Sequence, residues 1–139
     1  MTLYSQEILR RSKEVRAFEK PSILTHILRQ SNPICGDRVE WQLHIANQAI
    51  VEAWVEVKGC SLCKASASLI FDNLIDSSTE QLSSRTEKFL TDVERILNND
   101  PRMGEASVFE ALPIAPARQE CVELPWHCLK DALRQVMML

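Results

Sequence analysis

Apolar side chains change their spacing several times along this chain, and each change marks an element. Tyr4, Ile8 and Val15 recur at helical spacing with Arg and Glu between them, which predicts an amphipathic helix over residues 3–15 that ends before Lys20-Pro21. Ile23-Leu24-Thr25-His26-Ile27-Leu28 is short, largely apolar and rich in strand formers, and Ser31-Asn32-Pro33 interrupts it; it predicts a first strand. Strict alternation follows. Val39, Trp41, Leu43 and Ile45 face one way and Glu40, Gln42 and His44 the other, the pattern of a half-buried strand. Beyond a tight connection at Asn47-Gln48, Val51, Ala53, Val55 and Val57 alternate with Glu52, Trp54, Glu56 and Lys58, so an antiparallel hairpin is predicted.

At Gly59 the period lengthens from two to about 3.6. Leu62, Ala65, Leu69, Ile70 and Leu74 then line one helical stripe, and the helix begins around Cys60-Ser61. Ser84-Arg85-Thr86-Glu87 has the form of a capping box and predicts the start of a further helix, with Phe89, Val93, Ile96 and Leu97 as its apolar face and Asn98-Asn99-Asp100-Pro101 as its stop. Residues 101–116 hold Pro101, Gly104, Pro113 and Pro116, so a loop is predicted there, with one helical turn at 107–111. A last helix carries Cys121 and continues through Leu124, Leu129, Ala132, Leu133 and Val136; Pro125, lacking an N–H, should kink it or start a second segment.

Composition bounds the function. A length of 139 residues suits one hydrophobic core, so one domain spanning 1–139 is expected. No apolar run approaches the roughly 20 residues of a membrane helix, and no signal-peptide pattern opens the chain, so a cytoplasmic protein with no membrane partner is expected. The net charge of -3 excludes a globally basic nucleic-acid binder. Six basic side chains against three acids in residues 1–31 permit an electrostatically steered partner surface at that end, although a solvated helix face explains them as well.

Five cysteines, at 35, 60, 63, 121 and 128, are odd in number and argue against a fully paired disulfide framework. In a reducing compartment, several thiols in one small domain point to metal ligands or redox groups. Cys35-Gly36-Asp37 lies just before a strand, Cys60 at a strand-to-helix junction, and Cys121 on the C-terminal helix. Gly36 lets the backbone turn so that Cys35 and Asp37 can face one centre, and the positive end of a helix dipole favours a negatively charged ligand at Cys60. Only one close pair, Cys60-Ser-Leu-Cys63, is present, so a zinc ribbon is excluded; separate buried cysteines remain the alternative.

Three segments together resemble a known family. Asn32-Pro33-Ile34-Cys35-Gly36-Asp37-Arg38, Gly59-Cys60-Ser61 leading into Ala65-Ser66-Ala67-Ser68, and Pro116-Ala117-Arg118 ahead of Cys121 are similar to the signature segments of the IscU/SufU/NifU N-terminal family of iron-sulfur cluster assembly proteins. The resemblance runs from about residue 32 to about residue 134. It implies an α+β fold, a three-stranded antiparallel sheet with four to five helices packed against it. It also implies a metal or cluster site at Cys35, Asp37, Cys60 and Cys121, a cysteine desulfurase and apo iron-sulfur acceptor proteins as partners, and Cys35 as persulfide acceptor. The stretch Glu110 to Arg118 is more similar to the SufU branch; where the IscU branch carries its chaperone-recognition segment, this chain has Ile114-Ala115-Pro116-Ala117-Arg118. Glu120 stands before Cys121 where the family carries His or Lys, and an acid beside a thiolate disfavours its charge or offers an oxygen ligand. Cys63, Glu120 and Arg118 are therefore candidate auxiliary residues.

Three thiolates and a carboxylate suit tetrahedral zinc, and the same groups suit a transient [2Fe-2S] cluster with the carboxylate as labile ligand. Two other classes remain open: a thiol-disulfide redox protein using Cys60 and Cys63, and a non-catalytic zinc-stabilised binding module. His26, His44 and His127 lack metal spacing, Cys128 is expected in the core, and Trp41, Trp54 and Trp126 are expected as core or partner-surface aromatics.

Overall fold

The computed structural model describes residues 6–14, 19–32, 36–72, 74–97 and 116–137. In chain order these form α1 (Gln6–Glu14), β1 (His26–Asn32), β2 (Asp37–Ala46), β3 (Ala49–Lys58), α2 (Ser61–Phe71), α3 (Thr79–Leu97) and α4 (Pro116–Met137). The strands make one antiparallel sheet in the order β1-β2-β3. The α+β architecture expected from the sequence is what forms, with four helices among the described residues. One sheet face is apolar: Val39, Trp41 and Leu43 of β2 and Ala53, Val55 and Val57 of β3 are buried against α2 and α4. The opposite face carries Arg29, Arg38, Glu40, Glu56 and Lys58 at the solvent side.

The hairpin forms where the alternation placed it. Asn47 (φ 53°) and Gln48 (φ 62°) both take the left-handed conformation that a two-residue turn between twisted strands requires. One detail differs. His44 pairs with Glu52 but Ile45 with Ile50, so Val51 is an extra residue, a bulge, and the inward face shifts by one. Ile50 is therefore wholly buried while Val51 is exposed, the reverse of the expected inward set.

β1 lies three to four residues later than the apolar run predicts. Residues before it are held partly by side chains: Ser22 N and Oγ donate to Glu52 (3.1 and 2.8 Å) and Ile45 N donates to Thr25 Oγ1 at 2.8 Å, while Thr25 N donates to Leu43 O at 2.9 Å. Ile23, Leu24 and Ile27 are consequently exposed, and the strand runs on through Ser31 and Asn32, paired with Arg38 and Asp37.

α3 also starts earlier than expected. Its capping box is Ser78-Thr79-Glu80-Gln81, with Ser78 N donating to Gln81 Oε1 (3.1 Å) and Gln81 N to Ser78 Oγ (3.0 Å); Ser84 lies inside the helix. The choice is tertiary. Ile50 N donates to Ser77 O and Thr79 N to Gln48 O, so the hairpin pins the helix start at Ser78. α2 ends under α3, where the Arg85 guanidinium donates to the carbonyls of Leu69 (2.7 Å) and Ile70 (2.9 Å), a favourable cation at a helix C-terminus.

Pro125 does not divide the last helix: α4 continues through it to Met137. Proline has no N–H for the carbonyl of Cys121, a loss the fold sets beside two tertiary bonds to neighbouring carbonyls. Trp41 Nε1 donates to Pro125 O at 3.0 Å, and the buried Ser66 hydroxyl donates to Val122 O. The loop and turn predicted over 101–116 fall almost wholly outside the described residues, and α4 begins at Pro116.

Candidate metal centre

Asp37 opens β2 after a turn at Gly36, whose φ of +74° is glycine territory and whose N–H donates to Asn32 O at 2.8 Å. Asp37 is buried, 3% exposed, in phase with Val39 and Trp41 on the apolar face of the sheet. The hairpin register, Arg38 opposite Lys58, brings the end of β3 back beside Asp37. Cys60 follows as the N-cap of α2; its backbone is extended (φ -76°, ψ 167°) and its thiol makes no capping bond, leaving the sulfur turned toward the carboxylate. Cys60 Sγ donates to Asp37 Oδ2 at 3.9 Å.

Cys121 arrives from α4, and hydrogen bonds set that helix's position. Ser66, one and a half turns along α2 from Cys60, donates to Val122 O and accepts from Trp126 Nε1 at 2.9 Å. Trp41 ties β2 to the same helix through Pro125 O. Thus the element carrying each donor is bonded to α4 or lies next to one that is. The result is that Asp37 oxygen, Cys60 sulfur and Cys121 sulfur all lie within 4.8 Å of one another, the one such cluster among the described residues.

The donor set fits a metal. Zinc–sulfur bonds of about 2.3 Å at tetrahedral angles set neighbouring sulfurs roughly 3.8 Å apart, so closing around an ion asks for about an ångström of contraction. Two sulfurs and an oxygen, two of them on buried residues, supply three of four positions for a soft divalent ion or a cluster.

Not every candidate joins. Cys35 lies outside the described residues, as does the side chain of Arg118. Glu120 is exposed, and Cys63 faces the core with no exposure. His44 pairs with Glu52 (3.3 Å), His127 with Glu123 (3.5 Å), and His26 contacts Thr25 Oγ1 (2.9 Å), so none of the three is in the cluster. Ser66 is the residue that spacing alone overlooks. Its signal is a serine between Leu62 and Ile70 on the buried face of α2, where a hydroxyl needs a partner.

Cys128 belongs to the core. Burial, with the Asp131 carboxylate nearby, pushes its thiol up from an ordinary 9.0 to about 12. An unfolded thiol ionises at the lower value, so the stability this difference contributes is fully present below about pH 9 and lost as pH rises toward 12. Urea unfolding should show the free energy falling by up to about 1 kcal/mol per pH unit across that window from this group. Cys128→Ala should flatten that slope; an unchanged slope would refute the assignment.

The family described as NifU-like N terminal domain matches residues 4–136. The iron-sulfur cluster assembly scaffold protein IscU of Thermotoga maritima is 28% identical over 135 residues, covering 96% of this chain and 94% of that protein. The zinc-dependent sulfurtransferase SufU of Bacillus subtilis is 26% identical over 135 residues, covering 95% of this chain and 90% of that protein. The two stand at nearly equal identity, so identity does not divide the SufU from the IscU branch. A crystal structure of a nitrogen-fixing NifU-like protein (N-terminal) from Brucella abortus superposes with a TM-score of 0.78 at 19% identity, covering 98% of this chain and 95% of that one; it shares the fold.

Proposed function

Because the chain belongs to the NifU-like N terminal domain family of iron-sulfur cluster assembly scaffolds, we propose that it accepts sulfur from a cysteine desulfurase and holds zinc or a transient [2Fe-2S] cluster on Cys35, Asp37, Cys60 and Cys121. The convergence of Asp37, Cys60 and Cys121 within 4.8 Å carries this reading. These donors come from a strand, a helix cap and a distant helix, and incidental cysteines have no reason to meet a buried carboxylate there. Cys35, two residues before Asp37 across the Gly36 turn, supplies the fourth donor.

Each group has a part. Cys60 and Cys121 hold the metal or cluster as thiolates, and the Asp37 oxygen, a weaker partner for a soft ion, is the ligand suited to exchange. Zinc, when bound, keeps its ligand thiols deprotonated and the site closed at rest. In sulfur transfer, the Cys35 thiolate attacks the outer sulfur of the desulfurase persulfide. A new S–S bond forms on Cys35, the old one breaks, and its electron pair leaves with the desulfurase thiolate. The sulfur, or a cluster built from it, then passes to an apo iron-sulfur acceptor protein in the cytoplasm. Glu120 and Arg118, one and three residues before Cys121 in sequence, are candidate auxiliary charges.

The test is protein prepared without air and mixed with a cysteine desulfurase and radiolabelled cysteine. Labelled sulfur should appear on the chain, be released by a thiol reductant, and be absent from Cys35→Ser. Zinc without acid-labile sulfide would mark a sulfur relay of SufU type, and iron with sulfide a cluster scaffold. Zinc with neither labelled sulfur nor iron would overturn the proposal in favour of a binding module. The redox reading built on Cys60 and Cys63 leaves the meeting of Asp37 and Cys121 with Cys60 unexplained.

A further inference from the structure

The two glycines beside the site are required for opposite reasons. Gly36 has open space around it, with nothing within 4 Å of where a Cβ would stand, but its φ of +74° is one that other residues resist. Gly59 shows no positive φ, so its backbone is one that any residue adopts. What excludes a side chain there is Asp37. A Cβ at Gly59 would stand 2.5 Å from Asp37 Oδ1, 2.7 Å from Cγ and 3.1 Å from Cβ. Carbon atoms do not approach this closely, so the Asp37 carboxylate occupies the volume a side chain at 59 would fill.

We infer that Gly59 is a positioning residue: its missing side chain is the slot that holds the Asp37 carboxylate among the donor sulfurs. Asp37 has little freedom to yield. Its backbone begins β2 and is paired with Asn32 in β1, its side chain is 3% exposed, and the clash reaches in as far as its Cβ. A methyl at 59 therefore turns the carboxylate out of the cluster and leaves a thiolate-only set. The slot sits one residue before Cys60, so the same stretch of chain presents a sulfur and makes room for the oxygen beside it. This inference rests on the reading of Asp37, Cys60 and Cys121 as metal ligands given above.

A four-chain cycle tests it: the natural chain, Gly59→Ala, Asp37→Ala and the double variant, each titrated with zinc against a competing chelator and melted without metal. Gly59→Ala should weaken zinc by at least about tenfold, the scale seen when a ligand's support is removed. Asp37→Ala should weaken it comparably. In the Asp37→Ala background the carboxylate is gone and only the 3.1 Å contact with the Cβ at 37 remains, so adding Gly59→Ala should change zinc affinity by less than about twofold and lower the apo melting temperature by less than it does beside Asp37. The inference is overturned if Gly59→Ala alone leaves zinc affinity within twofold, or weakens it as much with Ala at 37 as with Asp. It is also overturned if Asp37→Ala leaves zinc untouched while Cys60→Ser, made as a fifth chain, releases it, an outcome that spares the sulfur-acceptor reading. Failure of all four chains to bind zinc or iron would sink both.

Discussion

Cys121→Ser should release zinc while the chain stays folded. Zinc sites built from protein ligands are worth about 10–16 kcal/mol in all, so one ligand of four carries roughly 3 kcal/mol, a loss of about a hundredfold or more in affinity. Serine is nearly isosteric with cysteine, and a hydroxyl at this 1% exposed position finds the Asp37 and Cys60 polar groups nearby, so the fold should tolerate it. Folding and binding are linked, and the rise in melting temperature that zinc gives the natural chain should shrink or vanish. Cys128→Ser is the control. That position is buried in the core and outside the donor cluster, so zinc should bind as before even if the fold loosens. Equal zinc affinity in Cys121→Ser and the natural chain would show that the metal lies elsewhere.

The largest loss of stability should come from Trp126→Ala. Trp126 is wholly buried, stacked on Phe89 with ring centroids 4.0 Å apart and planes 12° off parallel, and the Arg85 guanidinium lies 5.3 Å from its ring centre. Truncating a buried Trp costs about 3–5 kcal/mol, and here it also removes the donor to Ser66 Oγ. Urea unfolding should therefore show a large fraction of the stability gone. Trp126→Phe keeps most of the ring and loses the Nε1 bond, so its cost from that bond should be nearer 1 kcal/mol. Because Ser66 joins Trp126 to the Val122 carbonyl, one residue past Cys121, Trp126→Ala should also loosen zinc binding. A loss under about 1 kcal/mol would mean that α4 does not depend on this contact.

How far the sequence carries depends on whether a feature is local. Period-two alternation made β2 and β3 plain, because a one-residue slip would turn Trp41 and Leu43 to water. The bulge at Val51 leaves no such mark, since Ile50 and Val51 are equally apolar and only pairing decides which turns inward. Two segments spell a capping box, at Ser78 and at Ser84, and the first is used because the hairpin bonds Ser77 and Thr79. Pro125 suggested a break, and the helix runs through it with neighbouring carbonyls bonded from β2 and α2. At the site, Asp37, Cys60 and Cys121 were legible as a motif set and Cys128 as a core residue, whereas Cys63 was set apart from the ligands only by its facing the core. Gly59 was legible as the point where the period changes, but not as the neighbour of Asp37. Its role depends on Asp37 lying across the strand end, which no spacing along the chain records.

Cys121 follows Cys60 by sixty-one positions, and α4 is the last element described. At 5–20 residues per second, a ribosome reaches it roughly 3–12 seconds after Cys60. Through that interval the growing chain offers a carboxylate and thiols from the hairpin end, but not the sulfur that closes the set, nor the Ser66 and Trp126 contacts that seat its helix. A partial donor set holds a soft ion weakly. If these donors hold metal as proposed, the order of synthesis leaves their set incomplete until α4 has been made.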